Sequence, residues 1–251
     1  MAGPPYFYSA NRLETAAAVT VSGVVAAQPA VRLFDRGIGL RYQDDSASGT
    51  RYAPTIDQGG SPRAIDTLIV GPDHNLSGVT ATVGSSTDNN SWTAKGSGAA
   101  PAGAYVLDLT AFTTRYARVG WASPGAAPIL TELWLSQRIA LSKRPTRLDP
   151  PTRERARNVT RLETRGGGVL LAKRGAPRWR MTYAWRYLPD SDVALLEAWW
   201  DDTVHRPSWF VDHLGTLRWV EVLTERLTFA RRAQGGTDLW DVTLAFQELL
   251  G

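Results

Sequence analysis

The sequence predicts a mainly β chain, with an N-terminal jelly-roll β-sandwich followed by a smaller β-rich sandwich or barrel with one α-helix. Three observations predict it. Short β-like runs recur about every ten residues through 1–137, with no helical period. Prolines and arginines then break the pattern over 138–178. Behind that stretch, a strand pattern, a helix pattern and a hairpin pattern follow in order.

The first block opens with Val19–Val25. Ala64–Val70 follows, closed by Gly71 and Pro72, and then Val79–Val83, which alternates with period two. Ala104–Leu109, Arg115–Trp121 and Ile129–Leu135 complete the series. Gly, Pro, Asn and Asp separate the runs, as turns require.

The middle block, 138–178, reads as a basic extended arm or linker. Pro145, Pro150, Pro151 and Pro177 exclude a long helix, and Gly166-Gly167-Gly168 marks a flexible tip. A strand is expected at Asn158–Glu163, and strands of the arm are assigned to the unit that follows.

The third block, 179–251, has the clearest local signals. Trp179, Met181, Tyr183, Trp185 and Tyr187 alternate with Arg180, Thr182, Ala184 and Arg186, which predicts a half-buried strand. Asp190 after Pro189 predicts an N-cap, with a helix from Ser191 to about Asp202. Val193, Leu196 and Trp200 form its apolar stripe, widened by Leu195 and Trp199. Ser208–Val211 and Leu217–Leu223 read as a hairpin around Asp212–Gly215. Trp240, Val242, Leu244 and Phe246 predict the inward face of a last strand.

Composition narrows the function classes. At 251 residues there is room for two ordinary domains, and a 43% hydrophobic fraction with ten Trp requires packed cores. No apolar run approaches the ~20 residues of a membrane-spanning helix. The N-terminus reads without a signal peptide. The absence of cysteine excludes disulfides and thiolate metal sites, and suits a reducing cytoplasm.

The charge is divided. Residues 1–137 carry nine basic and ten acidic side chains. Residues 138–180 carry 13 basic and three acidic ones, a net of +10, and residues 181–251 carry six and 11, a net of −5. The basic segment could meet nucleic acid phosphates, or it could dock on an acidic neighbouring subunit. No aromatics interleave the arm, which favours the subunit contact. Arg144, Arg147, Arg153, Arg155 and Arg157 are the candidate contacts, with Trp199 and Trp200 as interface aromatics.

Catalysis finds little support, and no enzyme activity, cofactor or metal site is expected. His74, His205 and His213 match no metal spacing and read as isolated surface histidines. Ser85, Ser86 and Ser208 lack a nucleophile-elbow context. The triple glycine has no following Lys-Ser/Thr and is no phosphate loop. Asp44-Asp45 and Asp201-Asp202 read as solvated charges rather than a glycosidase pair.

Residues 10–136 resemble the discoidin, or galactose-binding-like, jelly-roll family. The pieces that carry the resemblance are Ala30–Arg36 with Leu40-Arg41-Tyr42, Thr55–Gly59, Ser85–Thr93, Arg115–Val119 and Ile129–Trp134, in the family's order. The chain lacks the disulfide that joins the termini of secreted members. Residues 138–251, with the Trp179–Tyr187 and Leu195–Trp200 patterns, resemble the tail-tube-like domains of minor tail, or distal tail, proteins of long-tailed bacteriophages.

The second resemblance implies a structural virion protein, assembled in the bacterial host cytoplasm. It would form a homo-oligomeric ring at the tail tip or baseplate, joining tail tube to hub or fibres. Six copies are expected, with three as the alternative, and DNA would pass through the ring. The first resemblance implies the alternative of a carbohydrate-binding module that attaches to host glycans.

Overall fold

The computed structural model describes residues 5–37, 39–146, 151–156, 159–163, 169–173, 178–203, 206–234 and 237–249. The chain folds as two compact units. One runs from Tyr8 to Arg138; the other joins the N-terminal residues up to Phe7 to those from Ile139 onward. The architecture is mainly β, with one α-helix, as the patterning predicts.

The first unit is a jelly-roll sandwich. Its five-stranded antiparallel sheet runs Ala18–Thr20, Arg51–Asp57, Tyr116–Trp121, Thr80–Ser86, Thr93–Ala99. A three-stranded sheet, Leu133–Ser136, Ile65–Val70, Tyr105–Phe112, closes over it. Leu68, Val70, Val83, Val119, Trp121, Leu133 and Leu135 fill the core between them. The Ile129–Leu135 run divides into two strands, Ile129–Leu130 and Leu133–Ser136, and the first pairs with Tyr42–Gln43.

Thr93–Ala99 is a strand that composition conceals, because glycine disfavours strands. The reason for its glycines is proximity. A Cβ at Gly96 would lie 2.7 Å from Leu109 Cδ2, and one at Gly98 would lie 3.0 Å from Leu107 Cδ1. Bare backbone lets this edge strand lie against the neighbouring sheet.

The second unit is built on one large antiparallel sheet. Its path runs Arg138–Ala140, Tyr6–Tyr8, Ser208–Val211, Leu217–Val222, Thr237–Glu248, Arg178–Leu188, Thr152–Ala156. Tyr6 pairs with Val211 and Phe7 with Phe210, so these N-terminal residues join the C-terminal unit rather than the block in which sequence order puts them. Phe7 lies 4.7 Å from Trp199 and 5.4 Å from Phe210 between ring centroids, at the centre of an aromatic core. Beyond Arg138–Ala140, the described residues of the arm hold three strands, Thr152–Ala156, Val159–Glu163 and Val169–Lys173. The last two pair with each other, and Pro145 and Pro151 stand outside all three.

Two local expectations change. In Arg178–Leu188 the alternation holds through Met181, Tyr183 and Trp185, then a register shift intervenes before Leu188. Leu188 turns inward and Tyr187, at φ 61°, turns out to 45% exposure. Asp241 holds the bulge: it accepts the Tyr187 amide at 3.2 Å and the Arg186 guanidinium at 2.8 Å.

The helix spans Asp190–Thr203, one residue earlier than expected, with the Pro189 carbonyl receiving the first amides. Its buried stripe is Asp192, Leu196, Trp199 and Thr203, while Leu195 is exposed. Asp192 faces inward because it accepts the Ser142 amide at 2.9 Å and hydroxyl at 2.7 Å. No helix among the described residues is long and apolar enough to cross a membrane.

One buried charge in the jelly-roll unit has a measurable consequence. Glu132 is fully buried, and neither carboxyl oxygen makes a well-formed hydrogen bond among the described residues. Burial, reinforced by Glu14 and Asp35 and only partly offset by Arg36, pushes its pKa well above 4.5. Below that ordinary value both folded and unfolded chains hold the proton. As pH rises past it the unfolded chain releases the proton first, so stability falls toward the raised folded value. Glu132→Gln is expected to flatten this fall and to raise the thermal midpoint at pH 7 by a few degrees relative to wild type. Melting curves from pH 4 to 8 check it.

Candidate functional site

The Tyr116–Trp121 strand determines the site through its alternation. Ala117, Val119 and Trp121 are fully buried, so Arg118 and Gly120 project from the outer face of the five-stranded sheet. On the adjoining strand Val83 points inward, and Thr82 and Gly84 point outward. Gly84 pairs with Arg118, Thr82 pairs with Gly120, and Tyr52 faces Gly120 from the other side. A concavity of about 240 Å³ forms there, lined by these residues and Trp92.

The glycines form its floor. A Cβ at Gly120 would stand 3.1 Å from Tyr52 Cε1. One at Gly84 would stand 3.5 Å from Trp92 Cε3 and 3.7 Å from Arg118 Nε. The rings and the guanidinium therefore lie on nearly bare backbone. The Arg118 guanidinium carbon is 4.4 Å from the Tyr52 ring centroid and 4.1 Å from that of Trp92. Such stacking restrains all three side chains.

Trp92 is positioned by the turn before it. Asp88 accepts the amides of Asn90 and Ser91, each at 2.9 Å, and the Ser86 hydroxyl at 2.8 Å. These bonds hold its carboxyl down at about 2. Asn89 takes φ 60° within the turn.

Arg118 differs from its neighbours in charge pairing. Arg115 is bidentate to Asp57 at 2.8 and 2.9 Å. Arg36 is bidentate to Glu14 at 2.6 and 2.9 Å, and Arg51 pairs with Asp44. Among the described residues no carboxylate pairs with Arg118, and no carboxylate or histidine lines the concavity.

The residues singled out by sequence fall elsewhere. Arg144 is exposed. Arg153 and Arg155 are exposed on the terminal strand of the large sheet, their guanidinium carbons 3.9 and 5.9 Å from the Trp179 ring. Arg147 and Arg157 lie outside the described residues. Trp199 is 1% exposed in its own unit's core, and Trp200 is half-buried beside Glu197 and Arg226.

His205 also lies outside the described residues. His74 contacts the Gly103 carbonyl oxygen at 3.0 Å, and His213 lies 3.0 Å from the Tyr183 hydroxyl. Asp44 is not a solvated charge: it is fully buried, with Tyr42, Ser46 and Arg51 donating to it. Tyr52, Trp92 and Arg118 were not among the candidates. The signal for Arg118 is the alternation of Tyr116–Trp121, which assigns position 118 outward once Val119 and Trp121 are taken as core.

No protein-family model matches the chain, and no curated protein does. Among solved structures the chain is similar to chitosan-binding module 1 of a Paenibacillus chitosanase/glucanase. The identity is 20% and the TM-score 0.44, over 50% of this chain and 98% of that one. It is similar to the carbohydrate-binding module of AlyQ in complex with 4,5-unsaturated mannuronic acid, at 22% identity and TM-score 0.40, over 51% and 96%. A Ruminococcus gnavus fucosidase in complex with fucose gives 16% identity and TM-score 0.44, over 52% of this chain and 27% of that one.

Because Arg118 takes part in stacking but in no ion pair among the described residues, its loss strands no carboxylate there. Arg118→Gln is expected to cost about 1–2 kcal/mol of stability or less. Urea unfolding measures it, and a loss well beyond that range would mark the residue as a structural element.

Proposed function

We propose that the jelly-roll unit is a carbohydrate-binding module and that Tyr52, Trp92 and Arg118 hold the sugar. The carrying observation is the cluster itself: two aromatic side chains and a guanidinium with no carboxylate partner among the described residues, set together on one sheet face at an open concavity. A sugar ring offers apolar C–H faces ringed by hydroxyls. Aromatic surface takes the first, and guanidinium N–H groups donate to the second.

The lining supports binding without turnover. It lacks the pair of carboxylates that glycoside hydrolysis uses. Tyr52 and Arg118 sit on strands and Trp92 directly before one, so little ordering is required on binding. Trp92→Ala is expected to weaken glycan binding by about tenfold or more, because it removes one wall of the stack. A glycan array with the full chain, wild type against Trp92→Ala, reads this directly. Equal signals from the two proteins on every bound glycan would end the reading.

The divided charge favours a second reading, a ring-forming phage tail-tip subunit. There Arg144, Arg153 and Arg155 would meet the acidic surface of the next copy. Mass photometry at low and high salt is expected to show an oligomer that dissociates as salt rises. A monomer at every salt concentration removes this reading and leaves the first untouched.

A further inference from the structure

We infer that the site selects acidic saccharides, with a sugar carboxylate seated on Arg118; this rests on the carbohydrate-binding reading above. Arg32, Arg36, Arg51, Arg115 and Arg138 each pair with a carboxylate of the same unit, and Arg41 and Arg63, which make no ion pair among the described residues, are exposed to water. Arg118 carries the same charge with no such partner among the described residues, and it is half-buried beside the Tyr52 and Trp92 rings.

Geometry then decides which ligand group fits. The guanidinium carbon lies 4.4 Å from the Tyr52 ring centroid and 4.1 Å from that of Trp92. The N–H donors of a guanidinium all lie in its own plane, where the planar fork matches a carboxylate bidentately. A hydroxyl presents a single uncharged oxygen, so it can neither span the fork with two oxygens nor neutralise the cation.

No acidic side chain lines the concavity, so an incoming carboxylate meets no repulsion. Gly84 and Gly120 also leave the floor without side chains, which admits a ring bearing an equatorial substituent close to the guanidinium. A neutral sugar would use the same aromatic surface but leave the charge uncompensated. Acidic saccharides therefore bind more tightly than their neutral counterparts.

The test uses the full chain and three immobilised polymers: polygalacturonate, alginate and hyaluronan. Each is compared with its carboxyl-reduced form by biolayer interferometry. At least one acidic polymer is expected to bind about tenfold or more tighter than its reduced form. Arg118→Gln should abolish that ratio, and Arg118→Lys should keep part of it. An Arg153→Glu/Arg155→Glu variant controls for attraction to the basic segment and should keep it whole.

Equal binding of acidic and reduced polymers overturns the inference. So does a ratio that survives Arg118→Gln, or one lost only in the Arg153/Arg155 variant. Binding of the reduced polymers that Trp92→Ala abolishes, without acidic preference, keeps the carbohydrate module and removes the acidic selectivity. No binding to any polymer removes both.

Discussion

The burial of Ala117, Val119 and Trp121 between the two sheets of the jelly-roll governs what the outer face can present. Trp121 is held twice, by its packing in the core and by its indole N–H donating to the Ala53 carbonyl at 3.2 Å. A strand cannot rotate about its axis without moving alternate residues to the wrong face. With residues 117, 119 and 121 committed inward, Arg118 and Gly120 have only the solvent side. The neighbouring strand adds Thr82 and Gly84 by the same rule, and the register sets Gly84 beside Arg118. The site is thus a by-product of core packing until Tyr52 and Trp92 close over it.

Those two rings depend on a second constraint, the missing side chains beneath them. A Cβ at Gly120 would press on Tyr52 at 3.1 Å, and one at Gly84 would just touch Trp92 at 3.5 Å. Glycine weakens a strand through entropy. In this sheet the cost coincides with the places where rings and a guanidinium lie flat. The Gly96 and Gly98 pair serves packing instead, against Leu109 and Leu107. The same residue type in one unit thus serves a surface site at two positions and sheet contact at two others.

The sequence made the mainly β class legible, because period-two alternation and turn residues are local signals. Val79–Val83 and Arg115–Trp121 stand close to their observed positions as Thr80–Ser86 and Tyr116–Trp121. Long-range pairing is not a local signal. Nothing local in Tyr6–Tyr8 announces its pairing with Ser208–Val211, roughly 200 residues on. The bulge before Leu188 depends on Asp241, more than 50 residues away. Asp44 reads as solvated until Arg51, seven residues on, folds back to pair with it. The proposed site was hidden for a related reason: its three side chains come from three separate strands or turns, and no motif joins Tyr52, Trp92 and Arg118 along the chain.

The account assigns binding to the outer sheet face and gives chemical character to a single cation. Its central claim is that a sugar contacts Trp92. The most direct measurement is the set of indole N–H resonances of the full chain, ten in number, with Trp92 assigned by the Trp92→Phe variant. On titration with an oligosaccharide that the chain binds, the Trp92 resonance is predicted to shift saturably while those of buried Trp121 and Trp199 stay in place. Binding that moves other indoles and leaves Trp92 unmoved would contradict the account.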